Sequence, residues 1–531
     1  MIRRIIIKNF KGIKNADITF SGKNVIVGNN DVGKSTILEA ISLTLGNGSP
    51  SLELTPYLFH KSTWRNLSKT NLPSIIIELY MDSIDGYTEY TGKNNSLHED
   101  CLGIRYEAKF DEEYIDLLDY ENLTQIPCEY YIISRKWFSE DVVKPFKMPF
   151  SVQVINSASA LYNIKMSQFI TKHLQSNLSD ENNKHLKTTL RGLREIFNQD
   201  AKVSDINQQL TEISKQFHDK LEISLDLTTY SAWNAISCPF VDDIPVYLNG
   251  QGSQCILKTL VSLSSNERQD KQNIYLIEEP ESHLSHTYMY NFLQLLEEKM
   301  KGQYFLTTHN SYIANRLNLS NLIILSNIDG EIKTCTLNGK LDQEMYNYFY
   351  TTTDYPTLRL ALCKKAILVE GPTDEMIVQY HLKKTGKNLF EDSTELMAVG
   401  GVRFKNFISL AIALNKPIAI ITDNDRKSVE EIQRLYIQED ERDYSNVKIF
   451  TPSNPELHTL EVVFAQENYE RITELANIIR KKEFQGETIN TLTEFMIGNK
   501  TTWAFRLLEN NDLSFKVPQY IQDAINWIYN G

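Results

Sequence analysis

Apolar residues along this chain fall into two rhythms, short continuous runs and longer helical stripes. Ile5-Ile6-Ile7, leading into Lys8-Asn9-Phe10-Lys11-Gly12, predicts an opening strand and turn. Val25-Ile-Val27 and Ile75-Ile-Ile-Glu-Leu-Tyr-Met81 predict two more strands, and Ile37-Leu-Glu-Ala-Ile-Ser-Leu43 a helix. Short strands and polar turns alternate from about 83 to 150. Between about 157 and 222 Gly and Pro almost vanish and apolar residues take helical spacing: Leu186, Leu190, Leu193, Ile196 and Phe197, then Ile206, Leu210, Ile213, Phe217 and Leu221. Two or three amphipathic helices follow, their stripe serving either as core or as a dimer interface.

Strand character returns near 244, and Ile274-Tyr-Leu-Ile277 reads as a buried strand. Beyond about 355 the pattern alternates: strand 366–369, helix 374–384, strand 396–399, helix 403–414 and strand 418–421. That order predicts a compact parallel-sheet domain. The tail from about 466 is mostly helical.

At 531 residues the chain holds two to four domains, and with 41% hydrophobic and 23% charged residues it is an ordinary globular protein. No apolar run approaches a membrane span, which predicts no membrane partner. The six cysteines (101, 128, 238, 255, 335, 363) show no C-x-x-C pair and read as reduced thiols of a cytoplasmic protein. A net charge of −13 argues against a broadly basic nucleic-acid coat, but not against a local groove or metal-mediated contact.

The strand at Val25–Val27 runs into Gly28-Asn29-Asn30-Asp31-Val32-Gly33-Lys34-Ser35-Thr36 and then a helix. This is G-x-x-x-x-G-K-S in the strand-loop-helix context that a phosphate-binding loop requires. Its backbone N–H groups, with those of Asn29, Asn30, Gly33 and Thr36 among them, would face the phosphates of ATP. Lys34 reaches the β/γ-phosphates and the Ser35 hydroxyl ligates Mg²⁺. A glycine turn of purely structural use would not need the Lys-Ser pair.

Ile274–Ile277 ends in Glu278-Glu279-Pro280-Glu281, which puts carboxylates at a strand's carboxyl end. There Glu278 would hold hydrated Mg²⁺ and Glu279 would orient or deprotonate the attacking water. Gln303-Tyr-Phe-Leu306 ends in Thr307-Thr308-His309, with His309 suited to sense a γ-phosphate. Together these segments resemble the ABC-type ATPase heads of chromosome-maintenance and recombination proteins. Asn9-Phe10-Lys11-Gly12 resembles that family's opening, and Ser282-His283-Leu284 stands where its D-loop would be. The signature candidate is Gly252-Ser253-Gln254, with Gln251 where a phosphate-contacting Ser belongs, which implies altered nucleotide-driven closure and hydrolysis. The resemblance implies a homodimer or higher oligomer, each nucleotide sandwiched between two heads.

A second acidic set follows. Strand 366–369 ends at Glu370-Gly371-Pro372-Thr373-Asp374, and strand 418–421 at Thr422-Asp423-Asn424-Asp425. Carboxylates converging on one sheet edge need a cation, and an all-oxygen set favours Mg²⁺ or Mn²⁺. E-G-x-x-D with D-x-D, and Val399-Gly400-Gly401 before a helix, resemble the TOPRIM fold of topoisomerases, primases and nucleases. On that resemblance Glu370, Asp374, Asp423 and Asp425 are metal ligands or acid/base groups, Glu370 and Asp423 among the catalytic ones, acting on phosphodiesters with two metals.

An ABC-type head followed by TOPRIM is similar to the OLD (overcoming lysogenization defect) family of ATP-dependent endonucleases, which includes the Gabija nuclease and retron-associated effectors. Thr459-Leu460-Glu461 resembles a family element that supplies another metal-binding acid. Lys500-Thr-Thr-Trp-Ala504 resembles a K-x-x-x-A helix whose Lys would stabilise the scissile phosphate. The expected fold class is therefore α/β multidomain. Residues 1–155 form the head's N-terminal lobe, 156–228 a helical insertion that could dimerise, 229–350 the head's C-terminal lobe and 355–531 the TOPRIM domain with its helical tail. The resemblance implies a nucleotide-regulated, metal-dependent DNA endonuclease of bacterial antiphage defence, with a co-encoded helicase or a reverse transcriptase and its nucleic acid as partner. DNA contacts would come from Arg403, Lys405, Arg426, Lys427 and Arg480-Lys481-Lys482. The competing readings are an ATP-operated DNA clamp or sensor with an inert TOPRIM unit and, from the TOPRIM likeness alone, a topoisomerase or primase.

Overall fold

The structure is a computed structural model that describes residues 1–46, 54–64, 67–68, 71–116, 123, 125–144, 147–156, 179–214, 222–225, 239–264, 271–351, 357–389, 391–437, 442–481, 488–509 and 514–530. Its strands, in chain order, are β1 (Ile2–Phe10), β2 (Ile13–Thr19), β3 (Lys23–Gly28), β4 (Ile75–Met81), β5 (Thr91–Gly92), β6 (Cys101–Phe110), β7 (Tyr131–Trp137), β8 (Phe150–Asn156) and β9 (Phe240–Val241). They continue with β10 (Ile244–Pro245), β11 (Gln272–Glu278), β12 (Gln303–Thr307), β13 (Leu322–Ile328), β14 (Glu331–Thr336), β15 (Lys365–Val369), β16 (Thr394–Ala398), β17 (Ile418–Ile421) and β18 (Val447–Phe450). Two compact units emerge: Met1–Asn24, Gly33–Thr308 and Asn327–Ile332 in one, Val25–Val32, His309–Ser326 and Lys333–Gly531 in the other.

In the first unit β1 is the centre of an antiparallel array, paired with β2 on one side and β4 on the other, with β6 and β7 beyond. The run Ile5-Ile-Ile7 that sequence marks as a strand is almost wholly buried in β1. A parallel trio, β8-β11-β12, carries the strand that ends in acids. The helix Lys34–Leu45 packs on this trio. Ile37 and Ile41 on the helix, and Tyr275, Ile277 and Phe305 on the strands, are fully buried.

The amphipathic region yields helices Asp180–Gln199 and Ala201–Ser214. Leu193, Ile196 and Ile206 on them are exposed, at 50, 67 and 45%, so there the stripe is not core of the single chain. Residues 157–178 and 215–221, including Phe217 and Leu221, lie outside the described residues.

In the second unit β3 and β13 pair in parallel, Val25 opposite Leu322. The C-terminal sheet is fully parallel in the order β16-β15-β17-β18. Its inner strands are continuous apolar runs because helices cover both faces: Ala366–Val369 and Ile418–Ile421 are all fully buried. One shared core joins β15 and β17 to the helices Pro372–Lys384, Leu460–Glu467, Ile472–Arg480, Ile489–Gly498, Thr502–Leu508 and Gln519–Asn530. The helical tail is thus the wall of the TOPRIM-like sheet. Among the described residues no helix is long and apolar enough to cross a membrane, and the five described cysteines are free thiols.

Candidate functional site: a phosphate loop and an acidic sheet edge

The phosphate loop leaves β3 at Gly28 and enters the helix at Lys34, capped by Gly33 in the left-handed conformation (φ 100°). A Cβ on Gly28 would stand 2.6 Å from Val32 Cγ2, and one on Gly33 3.1 Å from Ile13. The tight curl leaves room for glycine only at these two points. Lys34 is buried, whereas Asn29, Asn30 and Ser35 face solvent and Thr36 is half-buried. An exposed helix N-terminus with a buried cation beneath suits polyphosphate.

On the first unit's parallel trio, Glu278 closes β11 and Glu279 takes a left-handed backbone (φ 39°). The Glu279 N–H donates to the Thr307 carbonyl at 3.1 Å and to its Oγ1 at 3.3 Å, which locks the ends of β11 and β12 together. Thr308 Oγ1 donates to Glu281 Oε1 at 2.7 Å, a link sequence did not flag. His309 is exposed, and Asn310 after it caps the helix Ser311–Arg316. Gly252 and Ser253 lie in the first turn of the helix Gln251–Ser264. Gln254 is buried and donates to the Asn249 carbonyl at 2.7 Å, so it fixes the helix entry.

The acidic edge of the C-terminal sheet is built from four separate stretches. Val369 and Ile421 are register partners, so Glu370 and Asp423 leave adjacent parallel strands side by side. Glu370 Oε1 accepts from Thr422 Oγ1 at 2.5 Å and from the Asp423 N–H at 3.1 Å. Asp374, in the first turn of Pro372–Lys384, accepts from the Gly371 N–H at 3.1 Å. Asp423 Oδ1 accepts from the Leu460 N–H at 2.9 Å and so caps the helix that carries Glu461, which is 5% exposed. Gly400 (φ 79°) and Gly401 let the next loop pass close: a Cβ on Gly401 would be 3.4 Å from the Glu370 carboxyl carbon.

Electrostatics show that the group is shared. Burial, then the charge of Glu370, then that of Glu461, pushes the Asp374 carboxyl up to about 7. Burial followed by Glu370, Asp374 and Glu461 pushes Asp423 up to about 8. Four acids crowd one another here with too little solvent to separate their charges.

One expectation changes and one is qualified: the backbone turns after Asp423, so that Asp425 is exposed at φ 48° with Arg426 at φ 65°, whereas Glu461 is buried. The cause is Asn424, wholly buried, whose amide donates to the carbonyls of Pro452 (3.0 Å) and Asn454 (2.9 Å) while its Oδ1 accepts from Arg426 N–H. That staple turns the chain, and the i, i+2 rule that would put Asp423 and Asp425 on one strand face ends with β17. Lys500 lies ahead of the helix Thr502–Leu508 rather than on it. It is exposed, in a turn where Thr501 holds φ 69° and donates its N–H to Thr373 Oγ1 at 3.1 Å, beside Asp374 in sequence.

Among the described residues no three His, Cys, Asp or Glu side chains are arranged to hold an ion by themselves. The donor chemistry nonetheless fits a hard cation that keeps several waters, as Mg²⁺ does: all oxygen, with two acids raised by burial first and then by their neighbours' charge. Of the basic residues, Arg403, Lys405, Arg426, Lys427 and Lys481 are exposed. Arg480 instead stacks on Phe495 at 4.5 Å and donates to the Thr491 carbonyl. Lys482 lies outside the described residues.

A phosphate loop at one end of the chain and a TOPRIM-type acidic edge at the other define a two-domain class that joins an ATPase to a TOPRIM unit. Residues 1–314 match the AAA ATPase domain family, and the chain belongs to it. Residues 362–425 match the TOPRIM domain of overcoming-lysogenization-defect-like proteins, a span that includes Glu370, Asp374, Asp423 and Asp425 but not Glu461 or Lys500. The chain is similar to Endonuclease GajA of Bacillus cereus, 24% identical over 469 residues covering 81% of this chain and 76% of that one. It is also similar to the OLD nuclease of Thermus scotoductus, 21% identical over 472 residues covering 81% and 83%. Among solved structures, the SMC head domain from Thermotoga maritima aligns with a TM-score of 0.32 at 15% identity, over 63% of this chain and 98% of that one.

Proposed function

We propose that this chain is a nucleotide-regulated, divalent-metal-dependent DNA endonuclease that cuts phosphodiesters at the acidic edge. The observation that carries the proposal is the gathering of oxygen donors at one sheet edge: Glu370 held by Thr422 and the Asp423 N–H, Asp423 held by the Leu460 N–H, Asp374 in the adjoining helix turn and Glu461 buried beside Leu460. Burial first, and then their neighbours' charge, raise Asp374 and Asp423, as is common where carboxylates await a cation or a proton-transfer task. The two relatives named as nucleases support it.

Bound Mg²⁺ or Mn²⁺ would stabilise the attacking and leaving oxygens. Glu370, fixed by Thr422, and Asp423, fixed by Leu460, would be the rigid ligands. Asp374 and Glu461 would complete the oxygen set or take the proton of the attacking water. Lys500, exposed beside this edge, would offset charge on the scissile phosphate. Arg403, Lys405, Arg426 and Lys427 would track the DNA backbone. In the head, Lys34 and Ser35 would hold ATP and its Mg²⁺, with Glu278, Glu279 and His309 acting on the γ-phosphate and Gly252-Ser253 closing from a second copy. Exposed Leu193, Ile196 and Ile206 support a homodimer. Antiphage defence is the role we infer from the overcoming-lysogenization-defect likeness.

Supercoiled plasmid with Mg²⁺ or Mn²⁺, and with EDTA as control, tests this. Cleavage should vanish in Asp423→Ala and persist in Lys34→Ala with altered nucleotide response. No cleavage under either metal would leave the ATP-operated clamp as the better reading.

A further inference from the structure

The helix Gln519–Asn530 packs across β15, β17 and β18 and against Pro372–Lys384, behind the strand ends that present the acids. Tyr520 stands in its first turn, 8% exposed, in the same core as Val369, Ile421 and Leu460. Its hydroxyl is buried and has no hydrogen-bond partner among the described residues. Buried phenols nearly always find a partner, because an unmade bond leaves the hydroxyl's desolvation uncompensated. Burial raises the phenol far above its ordinary range, and the charges of Asp374, Asp423, Glu461 and Glu370 all add to the rise. One unused donor thus stands in the core built by Val369, Ile421 and Leu460, the residues from which the chain runs into Glu370, Asp423 and Glu461.

We propose that Tyr520 is a positioning residue of the acidic edge, its hydroxyl donating to a carboxylate oxygen or water that a divalent cation holds among Glu370, Asp374, Asp423 and Glu461. Three of the carboxylates accept from backbone donors, Asp374 from the Gly371 N–H, Glu370 from the Asp423 N–H and Asp423 from the Leu460 N–H, and each keeps further lone pairs for a cation or a phenol. A bound cation would supply the charge that gathers these oxygens, and the phenol would hold one of them or a bound water in place. Hydrogen bonds behind metal-ligating groups fix their orientation and raise affinity. The inference rests on the metal-dependent reading above, but it concerns cation binding rather than cutting.

The test is titration of the nucleotide-free full chain with Mn²⁺, followed by the loss of the free-ion electron paramagnetic resonance signal, alongside metal-free thermal unfolding. Tyr520→Phe keeps the ring and removes only the donor. It should bind Mn²⁺ about tenfold more weakly, with a metal-free Tm equal to or above the native one. Tyr529→Phe, on the same helix but stacked under Lys365 and Lys387, should leave Mn²⁺ affinity unchanged. Unchanged affinity in Tyr520→Phe would overturn the proposal. So would a lowered metal-free Tm, which would mean that the hydroxyl already serves the fold through a bound water. A chain that shows the Mn²⁺ effect yet cuts no DNA refutes the nuclease reading and leaves this one standing.

Discussion

The phosphate loop and the acidic edge solve opposite electrostatic problems with opposite chain economies. The loop gathers positive potential from consecutive residues, Gly28 to Ser35, using backbone N–H groups and one buried lysine. The edge gathers negative charge from three stretches, 370–374, 423 and 461, with Glu370 held by Thr422 and Asp423 by the Leu460 N–H across stretches and Asp374 by the Gly371 N–H within its own. A contiguous site forms when one strand-turn-helix forms. A dispersed site forms only when the whole C-terminal core of sheet and tail helices is in place.

The comparison breaks most cleanly by charge removal. Glu370→Gln should reduce DNA cleavage by more than about a hundredfold while leaving nucleotide affinity, measured with a fluorescent ATP analogue, unchanged. Lys34→Ala should do the reverse, and loss of both activities in either variant would mean the two regions form one centre. Lys500→Ala should slow single-turnover cleavage by about 10²–10³ with Mn²⁺ affinity intact. A parallel fall in Mn²⁺ affinity would instead make Lys500 part of the cation site.

Proton binding sharpens the contrast further. Folding raises Asp423 from its ordinary 3.8 to about 8, so between those values the native state holds a proton that the unfolded state has released. The stability Asp423 contributes to the metal-free protein therefore falls as pH rises from about 4 to 8. Asp423→Asn should gain Tm relative to the native chain as pH goes from 5 to 8, and Mg²⁺ should narrow that gap at the upper end. A pH-independent difference would show that the acids are solvated. The smallest effect belongs to Thr501→Gly. Glycine removes a left-handed threonine at little steric cost and should move stability by no more than about 1 kcal/mol, whereas cleavage should drop as Lys500 loosens.

How far each region could be read from sequence follows from the same difference. The loop was fully legible, because glycine, lysine and serine act there at fixed offsets. Strands β15 and β17 were legible as continuous apolar runs, and with them the adjacency of Glu370 and Asp423. β18 was missed because it is four residues long with Lys448 turned out to solvent. The exposure of Asp425 was not legible, because spacing cannot reveal that buried Asn424 turns the backbone there. Glu461 was visible only through family likeness, since nothing in its neighbourhood signals that the helix start is capped by Asp423. Tyr520 gave no signal at all among 27 tyrosines.

The bond from the Leu460 N–H to Asp423 Oδ1 bears on how substitutions at the edge must be counted. One carboxylate both belongs to the acidic set and moors the helix that carries another member, Glu461. Replacing Asp423 therefore withdraws one acid and frees a second to wander. Replacing Glu461 withdraws only itself. A double replacement should lose scarcely more than Asp423 alone, and summing the single losses would credit the pair with more than it holds.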